Sequence, residues 1–133
     1  MDRSTARAQA MKLIYEWEMG GDGGEETRLN LLEIKPDERE ADFMNALVDG
    51  VREHAEEIDA TLAKYLRDWT VERLTRVDLA ILRLAAYELS LKKTPASVVI
   101  NEAVELANQY STDKAGAFIN GILGNLVRGT AEA

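Results

Sequence analysis

A chain of 133 residues is long enough for one domain with a real core. Hydrophobic residues make up 46% of it and prolines number two, which favours a folded helical domain over a disordered segment, and no apolar run is long enough to span a bilayer. The formal net charge of -8 opposes non-specific attraction to nucleic acid, and the absence of cysteine excludes a thiol nucleophile, a disulfide and a cysteine-ligated metal.

The opening Met1-Asp2-Arg3-Ser4 leads into polar text with no signal peptide, so the expected compartment is the cytoplasm. Ser4 or Thr5 is the expected cap of a first helix. Ala6, Ala10, Leu13, Ile14 and Trp17 follow at helical spacing as one apolar face. Arg7, Met11 and Tyr15, at successive i+4 steps, share an edge. That edge reads either as the flank of an amphipathic helix or as a small RNA platform, with a guanidinium for phosphate and a ring for a base. Gly20 and Gly21 stop the helix, and the glycines that follow mark a loop.

Residues 25 to 34 suit a short, ragged helix. Pro36 opens a stronger one, with Asp37, Glu38 and Glu40 in its first turn, where the helix dipole favours negative charge. Met44, Leu47, Val48 and Val51 form its stripe. After a charged stretch around His54, a separate or bent helix carries Ile58, Leu62, Tyr65, Leu66 and Trp69. Thr75 to Asp78 resembles a capping box with Asp in place of Glu or Gln. Leu79 to Leu89 is apolar on nearly every face, apart from Arg83 and Glu88, which predicts a central buried helix ending near Lys92 and Lys93. Thr94 as cap and Pro95 in the first turn start a helix with Val99, Ala103, Leu106, Ala107 and Tyr110 facing inward. Ser111 or Thr112 is the expected cap of a last helix whose core face is Phe118, Ile119, Ile122, Leu123 and Leu126. Gly121 and Gly124 are expected to admit a close neighbouring backbone, and Gly129 to Ala133 to fray.

No stretch alternates with period two. The expected fold is all-α: a compact orthogonal bundle of about six to seven helices in two small subdomains, forming one domain over residues 1–133.

No phosphate loop, nucleotide fingerprint or zinc-protease motif is present, and His54 is the single histidine. The 24 carboxylates lie mostly on helix exteriors, and no pair stands out as acid and base. Neither a metal, a cofactor nor catalysis is expected. Phe118 is core by periodicity, yet lies one turn past a helix start that could hold a phosphate, where Lys114 would help and Asp113 would oppose.

Three blocks carry a family resemblance: Ala6-Arg-Ala-Gln-Ala-Met-Lys-Leu-Ile-Tyr-Glu-Trp17, Arg76-Val-Asp-Leu-Ala-Ile-Leu-Arg-Leu-Ala-Ala-Tyr-Glu-Leu89, and Val99-Ile-Asn-Glu-Ala-Val-Glu-Leu-Ala107 with Tyr110-Ser-Thr-Asp-Lys114 and Phe118-Ile-Asn-Gly-Ile-Leu123. In order and over nearly the whole chain, they resemble the NusB family of bacterial antitermination factors. The likeness is weakest from Gly20 to Lys35. The resemblance implies a non-enzymatic protein that binds boxA RNA of nascent ribosomal RNA leaders. It implies a partnership with the small-subunit ribosomal protein NusE, and help to RNA polymerase in resisting termination. Matched residue by residue, it implies an RNA surface of Arg3, Arg7, Tyr15, Asp78, Lys114 and Phe118, with the first helix, the central helix and the last turn meeting on one face.

There is a departure. Some members carry a dense N-terminal arginine run, whereas here only Arg3 and Arg7 stand there, with Asp2 beside them. Weak RNA binding without the basic partner is therefore expected. Two other readings compete. NusB-like helical modules also front ribosomal RNA cytosine methyltransferases, but those need a long cofactor-binding domain and cysteines, and this chain ends at Ala133 without cysteine. A homodimer masking the RNA surface would use the same aromatic residues.

Overall fold

The computed structural model describes residues 2–20, 38–66 and 70–132. The ragged helix expected over 25–34, the start at Pro36 and the placement of Trp69 lie outside the described residues. Six α-helices are described: α1 (Arg3–Glu18), α2 (Glu38–Glu53), α3 (Ala55–Ala63), α4 (Arg76–Leu91), α5 (Ala96–Tyr110) and α6 (Ala115–Glu132). A single 3-10 turn, Val71–Arg73, precedes α4, and the described residues contain no strand. None of their helices is long and apolar enough to cross a membrane.

The centre is α4, as its composition predicts. It packs against all five other helices. From Asp78 to Ala86 every residue is buried, and Leu79, Ile81 and Leu82 are fully so. A helix surrounded in this way can be apolar on all sides, because no face has to meet water. On one side lie α1 and α2, packed against each other; on the other, α5 and α6 form a hairpin, and α3 covers part of α4. The predicted stripe of α2 (Met44, Leu47, Val48, Val51) is buried, as are Ile58 and Leu62 of α3. At roughly 1.5–3 kcal/mol per large side chain taken out of water, this shared core is the main source of stability.

Several local expectations are corrected. Asp2, not Ser4 or Thr5, caps α1: its carboxylate accepts from the Thr5 backbone N–H at 2.7 Å. His54 divides α2 from α3, and its ring stacks on Tyr87 at 6.0 Å. Thr75 caps α4 as expected, its hydroxyl accepting from the Asp78 N–H at 3.1 Å. Pro95 rather than Thr94 occupies the cap position of α5. The last helix continues through Gly129 to Glu132.

The close approaches fall at other glycines than those predicted. A side chain at Gly121 would meet nothing within 4 Å, and one at Gly124 only the Arg128 side chain. A Cβ at Gly50 would instead overlap the Tyr87 ring, where α2 crosses α4. One at Gly116 would come within 2.7 Å of Asn108 Oδ1, which keeps the α5–α6 hairpin tight near its turn. These are pairings between helices, which periodicity within one helix does not register.

Candidate nucleic-acid interface

The cap of α4 organises the site. Thr75 accepts from the Asp78 backbone N–H, and the Asp78 carboxylate meets a distant partner. It accepts from the Ser111 hydroxyl at 2.6 Å, 33 residues away. Ser111 is extended at the C-terminal end of α5, and its own N–H still donates to the Ala107 carbonyl. The predicted capping role of Ser111 is thus replaced by a tie between the α5–α6 turn and the start of α4.

Beside this tie opens a cleft of about 300 Å³, lined by Arg73, Leu74, Thr75, Asp78, Thr112, Lys114, Ala115 and Phe118. Its walls are one side of α4's first turn, the 3-10 turn before it and the start of α6. It offers cationic groups, a carboxylate fixed through one oxygen, two threonines and a half-buried aromatic ring. Groups of this kind suit a phosphate and a base together.

The first helix reaches the same region through its second half. It runs antiparallel to α4, since Arg7 pairs with Glu88 and Glu18 pairs with Arg76 and Arg83. Lys12 Nζ lies 5.2 Å from the centre of the Tyr110 ring, the last residue of α5. Tyr15, half-buried, follows Lys12 on the same helix.

The six residues expected at the RNA surface therefore divide. Asp78, Lys114 and Phe118 line one cleft. Tyr15 stands on the half of α1 that faces this end. Arg3 and Arg7 do not join them. Glu88 lies ten residues along α4 from Asp78, which places Arg7 about 15 Å of helix away.

Arg7 is also enclosed, with 5% of its surface exposed. Its Nε and Nη2 donate to Glu88 at 2.8 and 2.7 Å, Glu102 approaches Nη1 at 3.8 Å, and the Phe43 ring lies 5.2 Å from the guanidinium. The bidentate hydrogen bond to Glu88 raises the Arg7 pKa above its ordinary value against the opposing effect of burial, so it stays charged. Met11, one turn on, is buried too. The edge shared by Arg7, Met11 and Tyr15 is mostly interior, with Tyr15 half-buried, because α2 and α4 sandwich the beginning of α1. Arg3 is half-exposed, paired with Glu40 at 3.1 Å and lying 3.9 Å over Phe43.

Sequence reasoning missed Lys12, Tyr110 and Arg73 as neighbours of the site. Lys12 carried one usable signal, its i,i+3 spacing to Tyr15. Arg83 and Glu88, the two charges within the apolar helix, are both buried and paired, Arg83 with Asp59 at 2.7 Å and Glu18 at 2.6 Å.

The model of the NusB family matches residues 4–128. The transcription antitermination protein NusB of Acetivibrio thermocellus is 46% identical over 130 residues, covering 96% of this chain and 90% of that one. The solved T. maritima NusB superposes with a TM-score of 0.83 at 33% identity, covering 96% of this chain and 92% of that chain. A structure of antitermination factors NusB and NusE in complex with dsRNA gives a TM-score of 0.85 at 32% identity and 96% coverage of both chains. With the family match reaching into every helix described above and the fold matching at this level, the chain belongs to the NusB family.

Proposed function

We propose that this protein is an antitermination factor that works in the bacterial cytoplasm without catalysis. It binds boxA RNA of nascent ribosomal RNA leaders together with NusE, and the assembly helps RNA polymerase resist termination. The observation that carries the reading is the family match over residues 4–128, together with a NusB–NusE–dsRNA assembly whose NusB-like chain has the same fold. The cleft of Asp78, Lys114 and Phe118 supports RNA as the ligand, since it combines a cation, a fixed acceptor and a ring.

The net charge of -8 gives this surface a division of labour with its partner. Long-range attraction to RNA comes from a basic partner, and the cleft contributes short-range contacts. A fluorescence titration of boxA RNA with the protein, with NusE and with the pair, all at one salt concentration, tests this. The pair is expected to bind more tightly than either component and to prefer boxA over a scrambled strand. Equal affinity of the pair for both strands overturns the boxA assignment. Equal affinity of the protein alone and the pair overturns the division of labour. Light scattering on the same samples addresses the homodimer reading: a dimer that RNA does not dissociate counts against the surface as drawn.

A further inference from the structure

We propose that the far end of α4 is a self-association face, on which a second copy of this chain docks about a two-fold axis. A groove of about 720 Å³ opens there between α3 and α6, over the last turns of α4, with Ile58, Tyr87 and Leu126 among its apolar lining. The two flanking helices meet just after α3, where Tyr65 lies against Gly129, and leave the space over α4 open. Three large hydrophobic side chains are exposed among the described residues, and two of them stand at this end. Leu91, 37% exposed, lines the groove, and Val98, 40% exposed, lies in the first turn of α5. An apolar knob beside an apolar hole is satisfied twice by a two-fold pair, each copy's Leu91 entering the other's groove.

The charges around the groove are self-complementary as well. Lys92 lines it and Lys93 follows, both exposed and neither in an ion pair among the described residues. On the α3 side stand Glu57, which also lines the groove, and Glu56, both exposed in the first turn of that helix. The Glu57 side chain is 82% exposed and lies 3.7 Å from His54. A wholly basic or wholly acidic occupant meets repulsion on one side of such a groove. A second copy turned about a two-fold axis instead sets Lys92 against Glu57 twice. Lys92 also closes α4 in the left-handed region, at φ 55°, a conformation that glycine adopts more readily. A lysine there brings a cation to the rim in place of bare backbone. Lys92 is about 20 Å of helix from Asp78, so this pairing leaves the RNA cleft open, unlike a dimer built on Tyr15 and Phe118.

Sedimentation velocity over a protein dilution series tests the face, at about 150 mM salt to screen the repulsion between copies of net charge -8. The wild type is expected to dimerise reversibly. Lys92→Glu and Glu57→Lys each set like charges together twice, and each is expected to raise the dimer Kd about tenfold or more. An equimolar mixture of these two variants restores opposite charges at both contacts and is expected to return to the wild-type Kd. Leu91→Ser is expected to weaken the dimer with thermal melting unchanged. Light scattering for the RNA-masking dimer is accordingly run on Lys92→Glu, in which this face is disabled. A wild type that stays monomeric up to its highest soluble concentration overturns the proposal, as does a mixture no tighter than the single variants. A monomeric wild type whose two charge variants both lose NusE overturns it too, and gives the groove to NusE.

Discussion

The two halves of α1 use the same kinds of residue for opposite ends. In the first half, Arg3 and Arg7 face α2, α4 and α5, and their charges are closed by Glu40, Glu88 and Glu102. In the second half, Lys12 stays exposed beside Tyr110, near the tie between Ser111 and Asp78. A guanidinium taken out of water is tolerated only with partners that replace its hydration, so Arg7 and Glu88 are bound to each other before any ligand arrives. Lys12, being exposed, keeps its hydration. A cation's type therefore says little about its use; the carboxylates that the fold places beside it decide.

The largest expected effect tests the closed half. Arg7→Ala strands the buried Glu88, and breaking such a pair should destabilise the protein by about 3–5 kcal/mol in urea unfolding. Replacing both partners with apolar residues, Arg7→Met with Glu88→Leu, should restore most of that loss. If Arg7→Ala unfolds no more easily than wild type, the closed half has been misjudged. Next comes the cleft near the open half, through Phe118 of α6. Phe118→Ala should weaken RNA binding by about 1–3 kcal/mol, the worth of one stacked base. Because this ring is half-buried, its unfolding curve must be measured alongside, and binding read only where the variant is folded.

Ser111→Ala probes the tie between α4 and the turn. Losing a half-exposed hydrogen bond should reduce stability by about 1 kcal/mol and loosen Lys114 relative to Asp78, read as weaker RNA affinity. Arg3→Gln should cost about 1 kcal/mol: Arg3 is half-exposed, but the Glu40 carboxylate it pairs with is buried and the shorter amide can replace that contact only in part. The smallest effect is at Asp2, whose pKa the Thr5 N–H lowers from 3.8. A lowered carboxyl stabilises the fold above that value and loses its contribution as pH falls through the folded-state pKa. Asp2→Asn, whose amide can cap without titrating, should melt with wild type at neutral pH and above it in acid.

Much of this was legible in the sequence. The stripe of α2, the all-round apolarity of α4 and the core face of α6 announce themselves through 3.6-residue spacing, because burial imposes that period on any packed helix. The Thr75 cap was legible for a local reason: donor and acceptor are three residues apart. Of the residues expected at the RNA surface, Asp78, Lys114 and Phe118 line one cleft.

What the sequence could not settle was every relation between helices. The separations of 81 residues from Arg7 to Glu88, and of 33 from Asp78 to Ser111, leave no periodic trace. The same holds for the clearance that Gly50 gives Tyr87, which no pattern within α2 reveals. Hydrophobic spacing determined which side of each helix faces inward. The tertiary structure alone decided which charges those inward faces enclose and which they leave to water, because desolvation depends on what is packed against a group and not on its neighbours in the chain.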